Sequence, residues 1–289
     1  MNIFKRLLKN RISLLGLILL LCFVFVAIAA PWLAPPKEGS DPYRIPRRGW
    51  SLEPTPPTAQ YPLGLTQGQY DIYYGLIWGT RTAFRVGIIV ITFRALIGII
   101  LGSIAAYYGG LLDEILMRFT DIFMSFPYLI GVVVFVSIFG PGLNNVMIPL
   151  IALGWMPYAR MIRGNILAIK QEEYVLAARA IGVSDFKIIT RHILPNSIFP
   201  VLIQASMQIG SIVISVSALS FLGLGAPEGY ADWGQMLSFA RNWMLGEQGN
   251  VLKYWFTVVY PGLAMVLFVL SWNLIGDAFR DIMDPRIQA

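Results

Sequence analysis

The chain holds one histidine, His192, and one cysteine, Cys22. Neither a catalytic histidine pair, a disulfide framework nor a His- or Cys-based metal site can be assembled from it. Enzymatic chemistry would need converging acids, a nucleophile beside its base, or metal ligands at one face, and His192 stands without a cysteine or a second histidine. No G-x-x-x-x-G-K-[ST] phosphate loop occurs, so the chain has no cradle of its own for ATP. Two features remain that could carry chemistry. Arg94 sits inside a long apolar run, where a charge costs about 2.5–3.5 kcal/mol on insertion scales, so it is expected to face the bundle interior, a partner subunit or a water-filled path. There it would either meet an anionic group on a cargo, such as a peptide carboxylate, or snorkel or pair structurally.

The second feature is the stretch Gln171 to Asn196, which lies between two apolar segments and is too polar to cross a bilayer. Glu173 to Ile181 lacks Gly and Pro and places Tyr174, Ala177, Ala178 and Ile181 at helical spacing. Gly182 then reads as a C′ glycine. Ser184 reads as the N-cap of a second short helix, with Asp185 in its first turn and Phe186, Ile189 and Ile193 on one stripe, ended by Pro195. The small pair Ala177 and Ala178 permits close approach to a partner groove; the plainer reading is a solvated loop packed on its own bundle.

The elements that position these residues are apolar. Of 289 residues, 56% are hydrophobic and 13% charged, where soluble domains carry roughly 25% charge. The fold class is therefore all-α, a polytopic membrane protein. Met1 to Arg11 is basic, and the apolar run from Ile12 to about Leu33 is long enough to span. The Ala27-Ile28-Ala29 triplet resembles a signal-peptidase site, but the run exceeds the usual apolar region of about 7–15 residues, which favours an uncleaved anchor. An irregular extracytoplasmic segment follows, rich in Pro and Gly to about Tyr74, and then five further spans: about Ala83 to Tyr107, Ile115 to Ile138, Val146 to Leu167, Ile198 to Leu222 and Trp255 to Phe279. Lys and Arg gather where six crossings would put the inside, giving N-in and C-in with the 171–196 loop inside. The net charge of +6 is thus a topology signal and not a nucleic-acid one. Gly98, Gly102 and Ala106 form a small-residue stripe suited to close helix packing, with a conduit lining as the alternative. Asp113, Glu114, Arg118 and Asp121 read as a solvated or ion-paired helix start.

The loop resembles the "EAA" loop of ABC-importer permeases, Glu-Ala-Ala, three residues, Gly, nine residues, Ile-x-Leu-Pro. Ala177, Ala178, Gly182, Leu194 and Pro195 match at the right spacing, while Leu176 replaces the Glu and His192 the Ile. Arg191 to Asn196 is similar to the ending seen in the dipeptide/oligopeptide branch. Tyr61-Pro62-Leu63-Gly64 resembles that branch's "HPLG" entry, after which Leu65 to Asp71 departs from it. Ala218 to Gly225, Trp233 to Leu237, Pro261-Gly262, Asn273 to Asp277 and Asp284-Pro285-Arg286 are similar to its later blocks. The likeness covers about Tyr61 to Arg286 and is to the shorter-looped second permease of the pair.

That resemblance implies a division into a cytoplasmic N-terminus (1–11), a first membrane helix (12–33), an extracytoplasmic segment (34–78), a five-helix permease domain (79–280) with its coupling loop, and a cytoplasmic C-terminus (281–289). It implies a prokaryotic multi-pass protein of the cell (plasma or inner) membrane. Such a subunit carries di- or oligopeptides by alternating access with a homologous permease, two cytoplasmic ATPases that hold ATP and Mg, and an extracytoplasmic binding protein. Glu173, Tyr174, Ala177, Ala178, Gly182, Leu194 and Pro195 would form the docking loop, with Arg94 on the path; no cofactor, metal or nucleic acid is expected on this chain. The reading weighed against it is an ion-coupled transporter, which usually places acids or histidines within its spans; in the central thirds of the spans here only Arg94 is charged.

Overall fold

The structure, a computed structural model, describes residues 10–244, 250 and 252–283. The basic cluster Lys5, Arg6 and Lys9 and the Asp284–Arg286 ending fall outside them. The described residues are mostly helical, and their only β pairing is isolated bridges such as Arg44 to Tyr230 and Thr55 to Leu65.

Helix α1, Arg11–Leu33, is capped by Asn10, whose side chain accepts from the Ile12 amide. Its outward residues Ile12, Leu15, Ile18, Leu21, Phe25 and Ile28 are exposed on the isolated chain, as a lipid-facing stripe would be. Phe23 turns inward onto Phe268, with Phe84 and Trp233 on other sides of the same ring.

Helix α2, Ile72–Tyr108, is 37 residues long. It begins well before the expected Ala83, because Asp71 caps it by accepting from the Tyr74 amide. At 1.5 Å per residue it measures about 55 Å, more than a hydrocarbon core of about 30 Å, so it reaches beyond such a core, and its first turns pack in the 34–71 segment.

The expected span Ile115 to Ile138 is two helices, α3 Gly110–Met124 and α4 Tyr128–Phe139, bent by 82°. Pro127 explains the break: it lacks an N–H and pushes the residue before it out of the helical region. The expected span Val146 to Leu167 is likewise divided into α5, Leu143–Ala152, and α6, Met156–Ile169. Four straight helices are thus long and apolar enough to cross a membrane, or five spans with the bent pair. Helix α6 lies against α2, and the small-residue stripe makes that packing: a Cβ at Gly102 would sit 2.3 Å from the Ala159 carbonyl oxygen, and one at Gly98 2.5 Å from Tyr158 Cβ.

After α7, Glu173–Ala180, and an irregular helical segment over 185–197 come α8, Phe199–Phe221, α9, Trp233–Ala240, and α10, Phe256–Met283. Residues 34–71 fold back over the α8–α9 connection. Arg48 reaches the α2 cap, Asp71, at 3.2 Å, and Arg47 pairs with Glu228 at 2.9 Å. Asp232 caps α9 through the Gln235 amide at 2.8 Å. The Trp233 of the motif Trp233 to Leu237 is buried, and its Nε1 donates to the Leu76 carbonyl of α2.

Candidate functional site

The loop begins where α6 ends. Helix α7 carries Glu173 in its first turn, where a carboxylate complements the helix dipole. It closes in a Schellman motif: the Gly182 amide donates to the Arg179 carbonyl at 3.0 Å and the Val183 amide to the Ala178 carbonyl at 3.1 Å. Gly182 has φ +80°, the left-handed value that motif requires. The expected glycine break is therefore at Gly182.

The expected stripe is divided. Ala178 is 6% exposed and lies with Val175, Ile188 and Ile193 in the buried cluster, whereas Ala177 faces outward. The cause is the 185–197 segment, which folds back along α7 and covers one side of it. Tyr174 stays outward, half-exposed, its Oη accepting from Asn196 Nδ2 at 3.3 Å. Leu176, Ile181 and Phe186 are exposed beside it. Ser184 has N-cap geometry, but its side chain makes no capping bond. Pro195 does not end the helix, contrary to expectation. A π-helical turn, Ile188–Ile193, precedes it, and Pro195 then occupies the first turn of Leu194–Ser197, where its missing N–H costs nothing. Leu194 is half-buried and Pro195 exposed.

Four residues absent from the sequence-based list tie this loop to the last turn of α2. Lys170 Nζ donates to the Tyr107 carbonyl at 2.5 Å, a cation on a helix C-terminus. The Tyr107 hydroxyl donates to Asp185 Oδ1, and the Arg179 guanidinium lies 5.6 Å from the Tyr107 ring centroid. The sequence carries one clue to this contact, a tyrosine pair at the helix end before Gly109-Gly110. Nearby, Arg163 grips Asp113 in the first turn of α3 through two 2.6 Å bonds and Arg160 pairs with Asp121 further along it, so both aspartates of α3 are ion-paired to α6.

Arg94 stands about midway along α2. It is 5% exposed, its Nε donates to the Leu150 carbonyl at 2.7 Å, and it also bonds the Tyr128 hydroxyl. The guanidinium crosses the break between α5 and α6, directly over Gly154. Arg94 also borders a cavity of about 990 Å³, framed by the α3–α4 bend, the start of α6, α8 and α10. The structure thus places Arg94 on the cavity wall with its Nε and Nη2 each bonded to protein, and it does not bring Arg94 together with the loop residues. Among the described residues no group of three His, Cys, Asp or Glu is placed to hold a metal ion.

Comparisons with known proteins fit this geometry. Residues 98–289 match the family described as binding-protein-dependent transport system inner membrane component, and residues 2–54 match the N-terminal TM domain of oligopeptide transport permease C. A dipeptide transport system permease protein of Alkalihalophilus pseudofirmus is 34% identical over 99% of this chain and 90% of its own length. A glutathione transport system permease protein of Pectobacterium atrosepticum is 33% identical, over 99% and 90%. Among solved structures, an inward-facing conformation of the MetNI methionine ABC transporter aligns with a TM-score of 0.58 at 19% identity, covering 73% of this chain and 97% of that one, a likeness of fold.

Proposed function

Because this chain belongs to the family of binding-protein-dependent transport system inner membrane components, we propose that it is one of two permease subunits of an ATP-driven importer of di- or oligopeptides. Two cytoplasmic ATPases, holding ATP and Mg, dock on the 171–196 loop. A homologous permease completes the path, and a soluble binding protein delivers cargo at the outer face. The chain crosses the prokaryotic cell membrane six times, with α3–α4 and α5–α6 each acting as one broken crossing and both termini inside. The peptide cargo is supported by the near full-length likeness to the dipeptide permease of A. pseudofirmus.

The observation that carries the docking role is the loop's construction. A helix packed from behind through Val175 and Ala178 presents Tyr174 and Ala177 outward, with Ile181 and Phe186 of the following segment beside them, and the residues that flank it, Lys170 and Asp185, are bonded to Tyr107 of α2. Such a helix can be pushed as a body. Its apolar outward residues suit a helix-in-groove contact, with Glu173 at the solvent-facing start and Gly182, Leu194 and Pro195 shaping the return.

A cysteine cross-link tests this in the assembled complex, on a Cys22→Ser background. Ala177→Cys and Ile181→Cys are expected to form a nucleotide-sensitive adduct with an ATPase subunit, and Ala178→Cys is not. Folded, abundant protein whose outward positions give no adduct to any ATPase would remove the docking assignment.

A further inference from the structure

Helix α8 carries a polar stripe that the loop and Arg94 leave unexplained. Gln204, Gln208, Ser211 and Ser215 follow one another at spacings of four, three and four, one face of a helix, and all four border the 990 Å³ cavity. Away from the stripe α8 is mostly apolar: Ile209, Val213 and Val216 are buried in protein, Leu202 and Ile214 are exposed, and Ser206, Ser217 and Ser220 are the polar exceptions. Asn273 of α10 borders the same cavity. Tyr158 donates to Gln208 Oε1 at 2.9 Å, which fixes that amide and leaves its Nε2 donors free to turn to the cavity. Among the described residues the Gln204 and Asn273 side chains make no hydrogen bond at all. Amides without partners at membrane depth are tolerated only against water or a ligand.

No acid borders the cavity, and its one cation, Arg94, is held on the wall by the Leu150 carbonyl and the Tyr128 hydroxyl, neutral partners that leave its charge in place. Beside it runs an uncharged row facing apolar residues, among them Phe123, Phe135 and the adaptable Met207; its amides offer donors and acceptors, while the Ser215 hydroxyl, donating to the Ser211 carbonyl at 2.9 Å, offers an acceptor. Resting on the importer reading above, we infer that the Gln204–Gln208–Ser211–Ser215 stripe, with Asn273, is the part of the path that binds the main-chain amides of a passing peptide. Eleven helical steps span about 16 Å, the reach of roughly five extended residues. Because the stripe contacts main chain and is itself uncharged, its contacts are common to peptides of different side chains.

Two experiments on the intact complex, reconstituted in proteoliposomes with its binding protein, decide this. On the Cys22→Ser background, a charged, water-soluble thiol reagent is expected to modify Ser211→Cys about tenfold or more faster than the outward-facing control Ile214→Cys; equal, slow rates would mean that a partner helix or lipid covers the stripe and would overturn the path. Uptake of trialanine is then compared with that of its analogue carrying one ester in place of an amide. The native complex is expected to prefer the amide about five- to tenfold, as one hydrogen bond allows, and Gln204→Leu with Gln208→Leu to bring that preference close to one. The binding protein is common to both arms, so the change belongs to the permease. Full retention of the preference in the double variant would overturn main-chain recognition. If the native complex takes up neither compound, the peptide reading itself fails, and thiol labelling still reports separately on whether the stripe lines a path.

Discussion

Replacing Gly154 with alanine sets two groups in one space. The new Cβ would lie 2.1 Å from Arg94 Nε and 2.3 Å from its Cζ, so the guanidinium must leave. Its departure breaks the 2.7 Å bond to the Leu150 carbonyl and the bond to the Tyr128 hydroxyl. Hydrogen bonds made by a charged donor contribute about 1.5–3 kcal/mol each, and part of this returns when the displaced charge meets the polar cavity, so the net loss is about 3 kcal/mol. On the scaling for domains of 150–250 residues, that corresponds to a fall in melting temperature of roughly 6–12 °C. The assay is thermal unfolding of the purified complex in detergent for Gly154→Ala, Arg94→Met and the pair. Met is unbranched and uncharged, so the double variant removes the clash with the guanidinium and leaves only that with the Leu150 carbonyl oxygen, 2.6 Å from the new Cβ; the Arg94 bonds are then lost once and not twice, and its cost is expected to fall short of the sum of the single variants. A Gly154→Ala protein as stable as the parent, or strictly additive variants, would refute the view that Arg94 is held as a strut across the α5–α6 break. A raised KM for cargo with unchanged stability in Arg94→Met would assign the guanidinium to the cargo instead.

Three further perturbations follow. Tyr107→Phe removes one bond to the Asp185 carboxylate, and transport per ATP hydrolysed is expected to drop about three- to tenfold with ATP hydrolysis retained; Asp185→Asn should add little on top, since the two share one contact. Gly182→Val forces a β-branched residue to φ +80° with open space around it; the strain of about 1–3 kcal/mol falls on the loop, and unimpaired transport would sink its assigned role. Burial pushes the Asp232 carboxyl up to about 6, opposed by the Gln235 amide. An acid with a raised native pKa contributes stability present below its unfolded value near 4 and lost as pH rises through 6. Parent and Asp232→Asn are therefore expected to diverge between pH 4 and 6 in melting temperature, the parent falling by up to about 3 kcal/mol of stability relative to the variant.

The end of α7 was legible because a Schellman turn is local: a glycine two residues past an uninterrupted helix suffices to place it. Which side of α7 faces out was not, because the residues that cover Ala178 come from a π-helical turn ten or more residues on, and a hydrophobic stripe on a short helix does not announce its partner. Pro195 misled for a related reason: a proline ends a helix only when an earlier carbonyl is left waiting, and the π turn had already shifted the hydrogen bonds. Hydropathy located α8 within a residue at each end, yet averaging over that window hid the four polar positions on one face. The break at Pro127 was missed because hydropathy averages across the proline, and the start of α2 at Ile72 because it depends on the Asp71 cap within a stretch whose composition suggested loop.

Helix α2 is free of internal proline, unlike α1, α5 and α10. One end is anchored to the outer segment through Asp71 and Arg48, the other to the loop through Tyr107. It is a lever: turned by 5° about one end, a rod of about 55 Å carries its other end through about 5 Å. A displacement of that size is close to one helical turn, enough to exchange one set of side-chain contacts at the outer mouth for another while the loop itself moves very little.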